Sequence, residues 1–255
     1  MAYDLPFCLT FICLLVICFP LSTFAQWIDY PPDGLATLTH YTIPQDFVAS
    51  CGCTPASTHY PTAALSQMAY GSSTSYGPAC GRCFNLTLMN PIVANPPFTP
   101  PVTKSIVIKI IDLCPLSQDG WCSGTKSKTN SAGHQLNFDL AYPSSSIPDD
   151  FFPSDVAVYG YKDFGVWNIS YQTVSCLDDW TGSKNKAALG SELALGASGC
   201  CPANPTGSSN DTCPSFSDKN GIPPDTTTKS HATDTLGTIH TYHVFFALSL
   251  LLVLL

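Results

Sequence analysis

The large number of cysteines limits the possible folds of this protein more than any other feature of its sequence. The sequence has 13 cysteines in 255 residues, and Cys8, Cys13 and Cys18 lie within the first 25 positions. The remaining ten are an even number, which is compatible with complete pairing into disulfides in an oxidising compartment. Cys80-Gly-Arg-Cys83 also fits a redox or zinc motif, but no second pair with histidines at zinc spacing follows it. We therefore expect no metal site and no cofactor.

Both ends of the chain resemble targeting segments. Residues 1–25 join an apolar run to a small-residue exit ending at Ala25, which predicts a secretory signal peptide; the acidic Asp4 leaves an uncleaved anchor as the alternative. Residues 230–255 end in an apolar run shorter than the roughly 20 residues that span a bilayer, with no basic stop after it. They predict a GPI-attachment signal near Ser230, or else a short tail anchor. We expect a secreted protein, held at the cell surface by its lipid anchor.

Composition separates one domain from a looser tail. Residues 26–182 carry the dense apolar and aromatic runs, and their length is ordinary for a single domain. Residues 183–229 are rich in Cys, Pro, Ser and Thr, as is typical of a stalk. Charged residues make up only 11% and the net charge is −8, so there is no basic surface for nucleic acid. We expect a monomer. Glycosylation sequons at Asn85, Asn168 and Asn210 agree with secretion.

The apolar pattern of the domain is mostly that of β-strands. Several strands joined by Pro- and Gly-rich loops indicate a small closed barrel, because closure removes exposed strand edges. The run 61–70 begins with proline, places its apolar residues on one face and stops at Gly71, which predicts one short helix. Alternating or β-branched runs predict strands at 35–42, 105–112, 156–159 and 166–171.

Asp139 is the residue that most clearly suggests a catalytic role. It lies between Phe138 and Leu140 in a strand-like run, so its carboxylate points either into water or into a cleft. Only a cleft would raise its pKa by desolvation and suit it to general-acid chemistry. The residues alone leave both readings open, a catalytic acid and a structural aspartate.

Five short motifs follow one another along the domain: Ala79–Phe84, Ile111–Pro115, Thr129–His134, Asn137–Asp139 and Val174–Cys176. In order and spacing, they resemble glycoside hydrolase family 45, and especially its basidiomycete-type branch, which is similar to expansins and loosenins. The resemblance implies an all-β fold: a six-stranded double-psi β-barrel with disulfide-stapled loops, one or two short helices and an open groove. It implies a β-glucan partner, either cellulose or mixed-linkage glucan.

The resemblance also implies catalytic roles for four residues. Asp139 matches the general acid, and Asp112 matches a groove carboxylate that is structural or stabilises the transition state. The family inverts configuration, so a second group must activate a water on the opposite face of the sugar. Asn130 matches an asparagine amide of the proton relay to which that role is attributed. Asp119 lies in a loop where the family has another asparagine, and it is either a carboxylate base or a turn residue.

Sugar contacts follow from the same resemblance and from side-chain chemistry. Tyr41 matches a tyrosine that contacts the sugar ring at the cleavage point. Trp121, Tyr142 and Trp180 are candidate groove residues, because the C–H faces of sugars pack on aromatic rings; core packing is the alternative. His134 lies in a matching segment and either contacts substrate or makes a structural hydrogen bond.

Two departures from the family pattern lie beside the acid. The family often has histidine two residues before the acid and cysteine two residues after it, where this chain has Asn137 and Ala141. The resemblance implies a cell-surface endo-β-1,4-glucanase that hydrolyses with inversion. The alternative is an expansin- or loosenin-like protein that binds and loosens polysaccharide without cleaving it, and a non-catalytic wall protein is a third reading. Expansins lack the water-activating partner, so Asn130 favours the enzyme.

Overall fold

The computed structural model describes residues 27–72, 77–117, 120–183, 185 and 188. The predicted signal peptide, most of the predicted stalk, the predicted GPI signal and Asp119 lie outside the described residues. Within the described part of the chain, no helix is both long enough and apolar enough to cross a membrane.

Six strands close into a barrel, in the order β1-β5-β2-β4-β3-β6. The β1–β5 and β2–β4 pairs are parallel, and the other four pairs are antiparallel. The closed six-stranded barrel confirms the predicted fold class and leaves no open sheet edge. The strands are β1 Asp33–Tyr41, β2 Thr62–Ser66, β3 Cys83–Pro91, β4 Ser105–Cys114, β5 Asn137–Ala141 and β6 Trp167–Val174.

In the described part of the chain, four one-turn helices lie between or after the strands. The strands predicted at 35–42, 105–112 and 166–171 are confirmed as β1, β4 and β6. The strand predicted at 156–159 is wrong: this segment is a helix, because the Asp155 side chain accepts hydrogen bonds from two backbone N–H groups of its first turn and so caps it. The helices are α1 Pro55–Thr58, α2 Gln67–Tyr70, α3 Val156–Tyr159 and α4 Cys176–Asp179.

The helix predicted over 61–70 is also wrong for most of its length. Thr62–Ser66 is strand β2, and only Gln67–Tyr70 is helical. All five β2 residues are buried, because the strand lies between β4 and β5 with both faces covered. A strand covered on both sides has a continuous apolar sequence, which periodicity cannot distinguish from a short buried helix.

The barrel interior is filled by large side chains and fastened by disulfides. Phe84 and Phe138 meet edge to face in the core, with ring centroids 5.2 Å apart. Trp167 is fully buried in the core. Cys80 and Cys83 pair with different distant cysteines, so this motif staples two loops to the barrel. The disulfides among the described residues are Cys51–Cys80, Cys83–Cys176 and Cys114–Cys122.

Candidate active site

A row of four side chains crosses neighbouring strands on one face of the barrel. Thr39 is paired with Asp139, Asp139 with Ala64, and Ala64 with Asp112. A register shift between Ala63 and Ala64 brings Asp112 opposite Ala64, which is how a β-bulge re-aims a side chain. Strands lie about 4.8 Å apart, so two strand spacings separate the backbones of the two aspartates by about 10 Å.

Asp139 is buried within this row. Only 6% of its surface is exposed, and the Thr39 hydroxyl donates a hydrogen bond of 2.6 Å to its Oδ1. No hydrogen bond from the described residues reaches the other oxygen, Oδ2. Burial raises the pKa of the Asp139 carboxyl, and the negative charge of Asp112 raises it further, while Thr39 and His40 lower it. The carboxyl therefore lies in a water-poor setting, of the kind that suits a general acid.

Asp112 is the second carboxylate of the row. Its Oδ1 accepts from the backbone N–H and the hydroxyl of Ser50, at 2.9 and 2.6 Å. Its Oδ2 accepts from the Tyr41 hydroxyl at 3.1 Å. Burial, followed by the charge of Asp112, raises the pKa of Tyr41, so its hydroxyl keeps its proton and remains a donor. Asp112 thus positions Tyr41 beside the row.

The predicted aromatic sugar contacts lie in different places. Tyr41 packs against Ala64 and the Cys114–Cys122 disulfide, which form the floor of the site. Trp121 is half-exposed in the loop closed by this disulfide. Tyr142 instead packs on His40 and Phe152 at the end of β5, and its hydroxyl donates to the Asp149 carbonyl.

The groove assignment of Trp180 is wrong. Its side chain is 2% exposed, and its indole N–H donates to the Pro61 carbonyl at 2.7 Å. The buried ammonium of Lys109 lies 4.5 Å from the centre of its ring. These contacts make Trp180 a core residue, the alternative that the sequence left open.

A chain of four hydrogen bonds leads from Asn130 to the candidate acid. Asn130 Nδ2 donates to Thr37 Oγ1 at 2.8 Å, and Thr37 Oγ1 donates to Asn137 Oδ1 at 2.6 Å. Asn137 Nδ2 donates to Thr39 Oγ1 at 2.9 Å, and Thr39 donates to Asp139 as described above. All five side chains lie on β1, β5 or the segment just before β5. Asn137, which replaces the family's histidine, is the central link.

Asn130 itself is saturated with hydrogen bonds. Its Oδ1 accepts from the backbone N–H groups of Ala132 and His134, at 3.0 and 3.1 Å. Its Nδ2 has a second acceptor in the Trp121 carbonyl at 3.1 Å. With 6% of the residue exposed, the amide oxygen is not free to take a proton from water. The His134 ring is hydrogen-bonded to Asn168 Oδ1 at 3.0 Å.

Sequence reasoning missed several polar residues around the two carboxylates. Thr37 and Ser50 orient the site but carry no motif that marks them. His40 forms an ion pair with Asp163, on the opposite face of β1 from Thr39. Burial alone would raise the pKa of Asp163, but hydrogen bonds from His40 and the Gly165 N–H lower it. Only the folded barrel and its loops bring these residues together.

The family of the chain follows from a sequence match to the barrel. The family model described as EXPB1-like domain 1 matches residues 36–182. The chain belongs to this family, the expansin and glycoside hydrolase family 45 group of double-psi β-barrels. No curated protein matches the sequence.

Three solved structures resemble the chain. Two are structures of the GH45 endoglucanase EG27II in complex with cellobiose, and one of these is a mutant. Each is 19% identical to this chain and covers 60% of this chain and 87% of the endoglucanase chain. The TM-score is 0.42 for the non-mutant and 0.41 for the mutant. The third is the β-1,4-D-endoglucanase Cel45A of the blue mussel Mytilus edulis, 23% identical over 62% of this chain and 87% of that one, with a TM-score of 0.42.

Proposed function

We propose that this protein is an endo-β-1,4-glucanase that hydrolyses cellulose or mixed-linkage β-glucan with inversion at the cell surface. The observation that carries the proposal is the buried Asp139 carboxyl. Its raised pKa suits a proton donor, as does its Oδ2, which accepts no hydrogen bond from the described residues. Membership of a family that includes glycoside hydrolases agrees with this chemistry. The proposed GPI anchor would hold the barrel against extracellular polysaccharide.

The proposed acid step uses Asp139 Oδ2. A glycosidic bond breaks more readily when its leaving oxygen receives a proton, and a desolvated carboxyl keeps that proton to higher pH than an exposed one. Inverting enzymes place their two catalytic groups about 6.5–9.5 Å apart, which leaves room for a water molecule. We do not assign the second role to Asp112, because its two oxygens accept hydrogen bonds from Ser50 and Tyr41.

Water activation in our proposal falls to Asp119. Asn130 cannot do it directly, because both of its hydrogen-bonding atoms are occupied. Asp119 lies outside the described residues, but the adjacent Gly120 carbonyl accepts a hydrogen bond from the N–H of Ser131 at 3.1 Å. This bond ties the loop to the segment that follows Asn130. Asn130 would then help indirectly, by holding the loop through the Trp121 carbonyl.

Glucan binding in our proposal uses Tyr41 and Trp121. Tyr41 lies on the floor beside Asp112 and presents its ring next to Ala64. Trp121 is half-exposed above the same disulfide, where it can pack on the C–H face of a sugar ring. We assign His134 a supporting role, because its ring is bound to Asn168.

An expansin-like, non-lytic protein is the second candidate function. The matching family model describes an expansin-type domain, and no water-activating carboxylate is identified among the described residues. Such a protein would keep the groove and Asp139 but loosen polysaccharide without new chain ends.

Product release separates these two functions. The secreted protein would be incubated with soluble β-1,4-glucan beside Asp139→Asn, Asp119→Asn and the exposed control Asp179→Asn. We expect new reducing ends with inverted anomeric configuration, lost by about 10²-fold or more in the first two variants and unchanged in the control. If cellulose softens while no reducing ends appear, the protein is expansin-like and the hydrolase proposal is wrong.

A further inference from the structure

Asn85 is the asparagine of a glycosylation sequon on the outer wall of the barrel. The sequon lies within β3, where Phe84 and Leu86 are fully buried in the core. Because side chains alternate along a strand, Asn85 and Thr87 face outwards, and both are partly exposed. None of the described residues is hydrogen-bonded to the Asn85 side chain, so its amide nitrogen is available for modification.

A cavity of about 500 Å³ opens beside this sequon. Asn85 is paired with Val107 of β4, and Thr87 is paired with Ser105. Both of these β4 residues line the cavity. Residues directly opposite each other in an antiparallel pair have their Cβ atoms roughly 4.5–5.5 Å apart. The cavity therefore begins one strand away from the asparagine, within reach of a sugar attached to it.

The lining of the cavity combines apolar side chains with hydroxyl groups. Val107, Pro61 and Phe151 provide apolar surface, while Ser105 and Thr181 provide hydroxyl groups. Sugars have C–H faces that pack on apolar surface and polar edges that form hydrogen bonds. Sites for small ligands have volumes of roughly 300–1,000 Å³, and this cavity lies within that range. Its size and lining therefore suit sugar rings.

Both sides of the cavity are linked to the barrel by side-chain contacts. On one side, the Lys104 ammonium donates a hydrogen bond of 2.6 Å to the Asp150 carboxylate, which joins the loop after β5 to the start of β4. On the other side, the Trp180 indole N–H donates to the Pro61 carbonyl at 2.7 Å. Walls that are already in place reduce the ordering cost of binding.

We propose that Asn85 carries an N-linked glycan whose first N-acetylglucosamine residues lie in this cavity. In the attachment step, Asn85 Nδ2 loses one proton and forms a bond to C1 of N-acetylglucosamine. The bond from that carbon to the pyrophosphate of a lipid-linked oligosaccharide breaks, and the lipid pyrophosphate leaves with the electron pair. Nothing is oxidised or reduced. This donor belongs to the secretory pathway, to which the predicted signal peptide would direct the chain.

The glycan lies away from the candidate acid and goes beyond the proposed function. In the closed strand order, β3 is three strands from β5, which is the greatest separation in a six-stranded barrel. Along β4, the buried Lys109 and the Trp180 ring that covers it separate Val107 from Asp112. The attached sugars therefore cover Val107 and leave the groove open.

Occupancy of Asn85 is measured on the full chain, expressed with its own N-terminal segment in eukaryotic cells. Peptide-N-glycosidase in heavy-oxygen water converts each glycosylated asparagine to an isotope-labelled aspartate, which mass spectrometry of the peptides locates. We expect label at Asn85 in the wild type and in Thr87→Ser, which keeps the sequon. We expect none in Thr87→Val, which keeps Asn85 but loses the sequon. An unlabelled Asn85 in the wild type, whether or not the chain is exported, would overturn the proposal.

The position of the sugars is tested with an endoglycosidase that cleaves between the inner N-acetylglucosamine residues of the folded protein. Ser105→Trp fills the cavity and should expose these sugars. Release from Asn85 should then become about tenfold faster, which corresponds to about 1.4 kcal/mol. The matched control is Leu35→Trp, which should match the wild type. Leu35 belongs to the same row of paired residues, Ser105, Thr87, Ser170 and Leu35, but lies on β1, away from the cavity.

Equal release rates in the wild type and both variants would show that the sugars do not lie in the cavity. If Ser105→Trp does not fold, the wild type is compared before and after unfolding. A rate that unfolding leaves unchanged contradicts the proposal in the same way. No glucan is used in either experiment, so the results do not depend on whether the protein is a hydrolase.

Discussion

Replacing Thr39 with valine isolates the last hydrogen bond between Asn130 and Asp139, the one from Thr39 to the acid. Valine has the same shape as threonine but cannot donate a hydrogen bond. It therefore removes the 2.6 Å hydrogen bond that Thr39 donates to Asp139 Oδ1. A hydrogen bond to a charged group contributes about 1.5–3 kcal/mol to stability, and one to a neutral group about 1 kcal/mol. The Asn137 amide also loses an acceptor at 2.9 Å, although the Cys122 sulfur remains beside it. Because Asp139 is buried, solvent does not screen the loss.

The sign of the pH dependence follows from the pKa of Asp139. Burial raises this pKa above its usual value, and the Thr39 hydrogen bond lowers it again. Without Thr39 the folded-state pKa rises further above the unfolded value of about 3.9. A carboxyl with a raised folded-state pKa costs stability as pH increases from the unfolded value through the folded one. We therefore expect the free energy of unfolding of Thr39→Val to be about 1 kcal/mol lower in acid and roughly 1.5–3 kcal/mol lower near neutral pH.

Urea unfolding at acidic and neutral pH, with disulfides intact, measures this difference. Thr39→Ser is the control, since it keeps the hydroxyl and removes only a methyl group. The decrease in the free energy of unfolding of Thr39→Ser should be small and independent of pH. If Thr39→Val is destabilised equally at both pH values, the hydrogen bond does not depend on the charge of Asp139, and our view of the acid is wrong.

Three further predictions concern the acid, the groove and the core. Asp139→Asn removes a carboxyl whose raised pKa costs stability, so unfolding in urea should show a more stable variant at neutral pH and a vanishing gain near pH 3; no gain at neutral pH would contradict the pKa direction. Trp121→Ala should weaken binding of soluble β-glucan up to about tenfold by calorimetry without changing the urea midpoint, whereas a shifted midpoint would make Trp121 structural. Leu65→Ala should lower the free energy of unfolding in urea by about 2–5 kcal/mol, because Leu65 is fully buried in β2. The same change at Leu35, which is 54% exposed, should lower it far less. Equal losses would refute the two-sided burial of β2.

The strands that sequence patterns predict correctly are those with a covered face and an exposed one, or a long β-branched run. β1 and β4 have these properties, and the predicted ranges agree with both within a few residues. The sequence of β2 resembles a helix because every residue in it is buried, so its pattern lacks the alternation that marks a strand. The helix at 156–159 resembles a strand because its valines alternate, and only the Asp155 cap reveals it.

The candidate site also contains residues whose roles the sequence predicts and residues whose roles it does not. Sequence singles out Asp139 because a carboxylate in an apolar run is costly, and a costly group needs a reason. The groove assignment of Trp180 fails because sequence cannot show whether an aromatic ring is covered; here Pro61 and Lys109 cover it. The resemblance makes Asn130 a partner in water activation, but its local turn fills its oxygen with two backbone N–H groups.

Local patterns in the sequence predicted a disulfide-rich β-domain and drew attention to Asp139, because cysteine content and a carboxylate within an apolar run can be seen without the fold. The six-stranded barrel followed from the family resemblance. Only the tertiary structure decided that Asp139 and Asp112 flank Ala64, since that arrangement depends on strand order and on a bulge in register. It alone also assembled the hydrogen bonds that lead from Asn130 to Thr39. Hydrogen bonds between residues about a hundred positions apart leave no local pattern, and their direction is set by neighbours that only folding supplies.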